Sequence, residues 1–155
     1  MDIPFKLNGN LIIIHPVLIW DEETLIMVDA GFPGLLPAFG RELDRLDISL
    51  DRLDKIIVTH HDWDHIGELA EIVSASARDV EVVAHELERP FIQGDKMFVK
   101  KREDSSDIKG APTKPQTQLF ARVKVNRVVT DGEVLPYCSG ITVIHTNSAN
   151  SSKTN

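Results

Sequence analysis

Thr59-His60-His61-Asp62-Trp63-Asp64-His65-Ile66-Gly67 gathers three of the chain's six histidines and two aspartates within six residues. No other stretch is as dense in groups that bind metals. Imidazole nitrogen and carboxylate oxygen are ligands of zinc and, with more oxygen, of manganese or iron. The apolar run Lys55-Ile56-Ile57-Val58 leads into the cluster, and an amphipathic stretch follows it. A strand, a ligand-bearing turn and the start of a helix is the order in which an α/β scaffold builds a site. If Thr59 still belongs to extended chain, two-residue alternation puts His60, Asp62 and Asp64 on one side and His61 and Trp63 on the other. His65 joins the first group only if the strand breaks there, and a helix beginning at Ile66-Gly67 supplies the break. A helix N-terminus also favours the Asp64 carboxylate and a neutral His65, the form that binds a metal. The plainer reading is a polar turn whose histidines cap and hydrogen-bond. That suits a lone histidine better than this set.

The cluster resembles the signature of the metallo-β-lactamase fold superfamily, Thr-His-x-His-x-Asp-His-x-Gly at the end of a strand. Thr59, His60, Asp64, His65 and Gly67 match it position for position, and Asp62 stands where the second histidine would be. That departure keeps a ligand but exchanges nitrogen for oxygen, which shifts preference from zinc toward harder ions. Leu25-Ile26-Met27-Val28-Asp29-Ala30-Gly31 is similar to the family's hydrophobic strand ending in Asp-x-Gly. The stretches Val129–Leu135 and Gly140–Thr146 are similar to its later hairpin, so the resemblance covers roughly residues 10–146.

The resemblance implies an α/β fold, the αββα sandwich, of which this chain would carry the N-terminal half. It implies a metal-dependent hydrolase acting on an ester, lactone, amide or phosphoester of a small-molecule substrate through a metal-bound water. His60 and Asp62 would hold one ion and Asp64 and His65 the other. Asp64 would also be the catalytic residue that orients the water. The ions would be one or two Zn2+, with Mn2+ or Fe2+ as the alternatives that Asp62 introduces. Asp29 would sit beneath the site and support the ligand loop, where without the resemblance an Asp close before Gly is an ordinary turn residue. The alternative reading is a non-catalytic metal-binding or interaction fragment that keeps the loop but not the activity.

At 155 residues and 42% apolar composition the chain can bury one core, as one domain or part of a larger one. A net charge of −7 argues against nucleic acid or an anionic membrane as partner. Cys138 is the only cysteine, which excludes an internal disulfide, fits a reducing compartment and reads as a packing residue. Leu11-Ile12-Ile13-Ile14 is too short to span a membrane, and Met1-Asp2-Ile3-Pro4 lacks the basic start of a signal peptide. A cytoplasmic protein is the expectation.

Residues 11–20 and 24–29 read as strands joined by the polar turn Asp21-Glu22-Glu23. His15 lies in the first, next to Pro16, with no carboxylate or second histidine nearby in sequence, and reads as structural. Gly31-Phe32-Pro33-Gly34 stops the second strand. A helix follows to about Leu46, with Leu35, Leu36, Phe39, Leu43 and Leu46 as its buried face. Ser49 reads as the cap of a short turn before a strand over 55–59. Ile66, Leu69, Ala70, Val73 and Ala77 define a second helix over 66–77. Val80–Ala84 reads as the next strand, with His85 as a surface histidine opening a brief helical piece. Strands alternating with helices argue for α/β layering.

Residues 93–120 change character and read as an insertion or lid within a domain over 1–146. Lys100-Lys101-Arg102 reads there as a solvated charge run, and Met97 and Phe98 as pocket cover or packing. In the family the strand matching Ile141–Thr146 is followed by Pro-Gly-His-Thr, whose histidine is a metal ligand. Here Asn147–Asn155 follows instead, a polar stretch that reads as a disordered tail. His145 precedes the ligand position and is not assigned that role. The loss of pattern at this boundary reads as truncation or a changed reading frame. A half fold would leave one sheet face apolar and uncovered, with self-association as the consequence.

Overall fold

The computed structural model describes residues 1–7, 9–96 and 122–146. The chain opens with an antiparallel hairpin, Ile3–Leu7 (β1) and Asn10–Ile14 (β2). A break at His15-Pro16 separates it from Val17–Trp20 (β3), so the run read as one strand over 11–20 is two. Proline lacks the N–H that would continue the ladder. The polar turn that follows is closed by Asp21, whose Oδ1 accepts from the N–H groups of Glu23 and Thr24 at 2.9 and 2.7 Å. Leu25–Val28 (β4) then pairs antiparallel with β3.

From β4 onward the sheet is parallel, and parallel neighbours need crossovers. Leu36–Arg45 (α1) crosses to Lys55–Val58 (β5); Trp63–Ile66 (α2) and Leu69–Ala75 (α3) cross to Glu81–His85 (β6). The connection from β6 to Arg127–Val129 (β7) carries Arg89–Ile92 (α4). The strand order is β3-β4-β5-β6-β7. Val134–Leu135 (β8) and Ile141–Thr142 (β9) form a short antiparallel pair, so only part of the expected hairpin is a ladder and its first residues extend the main sheet instead. Among the described residues no helix is long and apolar enough to cross a membrane.

Register places Leu18, Met27, Ile56 and Val82 in one row across the sheet. With Val58 and Ala84 this face packs against Phe39 and Leu43 of α1, Leu69 and Ile72 of α3, and Ile3 of β1. The other face carries Val83 and Val129. It is covered by Leu135, with Tyr137, Ile141 and Val143 beside them. The bare face expected of a half fold is therefore not found over these strands; the segment after β7 folds back across them. Polar groups pin that cover at its rim. Lys55 pairs with Glu81 at 2.6 Å and lies 4.3 Å over the Tyr137 ring. Arg127 donates to the Tyr137 hydroxyl at 2.6 Å and to Glu133 at 2.9 Å.

Both helices are shorter than their apolar periodicity. Leu46 caps α1 and is 47% exposed, and Ala77 lies beyond α3 and is exposed, so neither belongs to a buried face. The helix read over 66–77 is broken at Gly67-Glu68. Gly67 N donates to Gly31 O at 2.8 Å and Ala30 N donates to His65 O at 2.7 Å, so this backbone pairs with the loop after β4 instead of continuing a helix. The approach is so close that a Cβ on Gly67 would lie 2.5 Å from Pro33 Cδ and from Trp63 O. Glu68, buried, uses its carboxylate to accept from Gly34 N and, at 2.8 Å, from Leu36 N. It thereby supplies the cap that the first turn of α1 lacks from its own side chains.

Candidate metal centre

Parallel strands present their C-terminal ends on one edge of the sheet, where ligand sites of α/β folds gather. Asp29 follows β4 on that edge and Thr59 follows β5. Asp29 adopts φ 61°, a left-handed conformation that Asp tolerates better than most residues. Asp29 N donates to Ile57 O at 2.9 Å, which locks the loop to the neighbouring strand. The Asp29 carboxylate then takes three donors. Oδ1 accepts from Thr59 N at 2.8 Å; Oδ2 accepts from Thr59 Oγ1 at 2.7 Å and pairs with His65 Nδ1 at 2.8 Å.

This network sets the histidine tautomers. The Thr59 hydroxyl has one proton, and Asp29 takes it. Its contact with His60 Nδ1 at 3.0 Å therefore requires the imidazole to donate Nδ1–H. His65 likewise donates Nδ1–H to Asp29. Each neutral ring then keeps its lone pair on Nε2, and an outer carboxylate behind a ligating histidine is the usual support of a metal site. Burial pulls the His65 imidazole down, but the Asp29 hydrogen bond and charge, with Asp64 and Asp62 beyond, outweigh it and leave its pKa above the ordinary value.

The two rings lie together, centroids 3.8 Å apart and tilted by 47°. His60 Nε2 is 3.7 Å from Asp62 Oδ2, and His65 Nε2 is 3.5 Å from Asp64 Oδ2. The four residues singled out as ligands thus lie close together, His60 and Asp62 on the loop after β5 and Asp64 and His65 on α2, as two adjacent imidazole–carboxylate pairs. Donor types and tautomers fit a divalent transition ion. The side chains do not yet converge on one: among the described residues no three His, Cys, Asp or Glu are arranged to hold a metal ion.

His61 and Trp63 point elsewhere. Trp63 packs edge-on against Phe32 at 4.7 Å. His61 turns to Glu88, whose Oε2 accepts from His61 N at 2.8 Å and pairs with its Nδ1 at 2.5 Å, while Phe91 stacks on the ring at 4.3 Å. Burial raises the Glu88 carboxyl, but the His61 hydrogen bond and charge outweigh this and hold it below the usual carboxylate range.

Of the other histidines, His15 does have a carboxylate partner, Asp2 at 2.9 Å, brought close by the β1–β2 hairpin. His85 is half-buried and stacks on His145 at 4.5 Å. Cys138 is half-buried, with φ 49° in the turn before β9. Of the expected insertion, residues 97–120, including Met97, Phe98 and Lys100-Lys101-Arg102, lie outside the described residues, as does the expected tail, 147–155. Residues flanking that stretch meet: a Cβ on Gly94 would touch the Arg122 side chain, and Val125 N donates to Gln93 Oε1 at 2.9 Å.

Comparison with known proteins decides the family, since residues 10–148 match the metallo-beta-lactamase superfamily. The chain belongs to that superfamily. A curated relative, the probable metallo-hydrolase YflN of Bacillus subtilis strain 168, is 28% identical over 117 residues, covering 74% of this chain and 44% of that protein. Two solved superfamily structures share the fold. BJP-1, a subclass B3 metallo-beta-lactamase of Bradyrhizobium japonicum, is 23% identical with a TM-score of 0.60, over 79% of this chain and 41% of that one. LRA-12, a class B3 di-zinc metallo-beta-lactamase from an Alaskan soil metagenome, is 18% identical with a TM-score of 0.63, over 84% and 45%. The chain spans less than half the length of each of these superfamily proteins.

Glu88 and Glu68 were not legible as site residues. Glu68 at least follows the motif glycine directly. Glu88 lies 27 residues from His61, and an acid in a polar turn carries no mark of its partner.

Proposed function

We propose that this chain carries the metal-binding part of a hydrolase that acts on an ester, lactone, amide or phosphoester. His60, Asp62, Asp64 and His65 would hold zinc, or manganese or iron, as one ion or two. The observation that carries this reading is the Asp29–Thr59 network, which sets both imidazoles with Nε2 toward the carboxylates. A bound ion would supply an acidified water and polarise the scissile bond. Asp29 fixes the His65 ring, and Thr59 fixes the His60 ring. Asp64, beside His65 on the exposed side of the loop, would accept a hydrogen bond from the attacking water and orient it. A small-molecule substrate and a cytoplasmic location complete the proposal.

The second reading, a metal-binding or interaction module without turnover, draws on the donors standing in two pairs rather than round one point. Four donors from one loop and the helical turn that follows it fix one side of a centre, so we expect the 155-residue chain alone to turn over substrate slowly.

Metal content and affinity of the purified chain test the binding claim. His60→Ala and Asp64→Ala should abolish binding, while His61→Ala should leave it. Equal loss in all three would remove the ligand assignment. Hydrolysis of a generic lactone or phosphodiester by metal-loaded chain, lost in His60→Ala, separates the hydrolase from the module.

A further inference from the structure

Glu88 has a place in no metal-ligand pattern, yet beside Asp29 it is a second carboxylate that grips the ligand loop from outside it. One carboxylate oxygen takes both the backbone N–H and the ring Nδ1 of His61, at 2.8 and 2.5 Å. The ring is further held by Phe91, stacked at 4.3 Å and 15°. Glu88 sits in the turn after β6, tied back by its own N–H to His85 O at 2.9 Å, so the grip comes from the rigid sheet edge.

This grip holds the His61 side chain away from His60, toward which Asp62 projects instead. Thr59 to Asp62 form no helix or strand. In such a segment a local backbone rotation exchanges the sides on which His61 and Asp62 project. His61 is the better zinc ligand and Asp62 the harder, oxygen donor. With His61 turned to Glu88, Asp62 Oδ2 lies 3.7 Å from His60 Nε2.

Resting on the metal-binding reading above, we propose that Glu88 is a positioning residue that sets the metal preference of the centre. It holds His61 out of the donor set, so that the loop offers two nitrogens and two oxygens. Without Glu88, His61 competes for the place of Asp62 and the preference moves toward zinc.

The test uses the full 155-residue chain and measures Zn2+ and Mn2+ affinities by titration, with the visible spectrum of the Co2+ form as a report on the donor atoms. Glu88→Ala should raise the ratio of Zn2+ to Mn2+ affinity by about 10-fold or more, the scale on which outer-shell partners act. It should also move the Co2+ bands toward those of a nitrogen-richer centre. The double variant Glu88→Ala/His61→Ala should return the ratio to the wild-type value. Should Glu88→Ala fail to fold, Glu88→Asp, which keeps the charge but shortens the reach, must move the ratio in the same direction. An unchanged ratio, including a parallel fall in both affinities from a loosened loop, overturns the proposal. So does a rise that persists when His61 is also removed. A wild-type chain that binds neither ion overturns this proposal and the metal-binding reading together, whereas wild-type binding with an unchanged ratio overturns this one alone.

Discussion

At the scale of single residues the proposed centre is organised by Asp29, which is not itself one of the four candidate ligands. Its carboxylate joins the ends of two parallel strands and sets the ring of His65 directly and that of His60 through Thr59. Asp29→Ala should therefore weaken metal binding by about 10–100-fold with all four ligands intact, the usual cost of an outer-shell partner. Asp29→Asn keeps one oxygen that can accept from Thr59 Oγ1 and His65 Nδ1, but it loses the charge and turns an NH2 group toward the Thr59 N–H. It should fall between wild type and Ala in a Co2+ titration, and equal affinity in all three proteins would remove Asp29 from the centre. Asp62→His restores nitrogen at the departing position and should raise zinc affinity relative to manganese. A fall in that ratio would mean that Asp62 does not face the metal. The cluster of candidate donors could be read from the sequence because a strand ending in closely spaced His and Asp announces itself locally. The grip of Glu88 on His61 could not, because it depends on which strand lies beside β5.

At the scale of elements, apolar periodicity located the strands and the helical stretches but overran their ends. The pattern Ile66, Leu69, Ala70, Val73 runs through Gly67 without a mark, yet the helix breaks there because Gly31 and Ala30 take the backbone bonds. Tertiary pairing overrode a good local signal, and only the missing side chain of Gly67 permits it. Gly67→Ala would push a methyl group into Pro33 and the Trp63 carbonyl. Overpacking of this kind costs about 1–3 kcal/mol, which a urea titration would resolve. Unchanged stability would show that the Pro33 turn can yield.

The cover over the second face has its own signature in pH. Hydrogen bonding from Arg127, and from Thr130 N, lowers the Glu133 pKa against a small opposing effect of burial. A carboxylate lowered in the folded state stabilises above its unfolded pKa, and that contribution is lost as pH falls through the lowered value. Glu133→Gln should therefore narrow its stability gap to wild type on the acid side of the ordinary glutamate range. A gap constant from neutral to acid pH would place the stabilisation elsewhere. The hairpin was legible only through the family resemblance, since a two-residue ladder such as β8–β9 gives no periodic signal, and its packing over this face was not legible at all.

At the scale of the molecule, the return of residues 133–143 across the sheet moves the question of association from a face to an edge. Among the described residues β3 is an outer strand of the main sheet, and strand edges with apolar side chains invite pairing. Val17 and Trp20 on β3 are 51% and 52% exposed, and Leu11 and Ile13 on the neighbouring hairpin are 64% and 50% exposed. A charge on an edge strand is one of the devices by which β proteins prevent such pairing, and β3, short as it is, carries none. We expect the chain to associate with rising concentration in sedimentation velocity, and Trp20→Lys to weaken that association without loss of metal binding. The substitution adds charge where the strand is already half in water, so the fold should tolerate it. Association that persists unchanged in Trp20→Lys would point to another surface, with Val134 and Ile144, 61% and 75% exposed, as the next apolar group to vary. A wild-type chain that stays monomeric at every concentration would mean that the edge is protected as it stands.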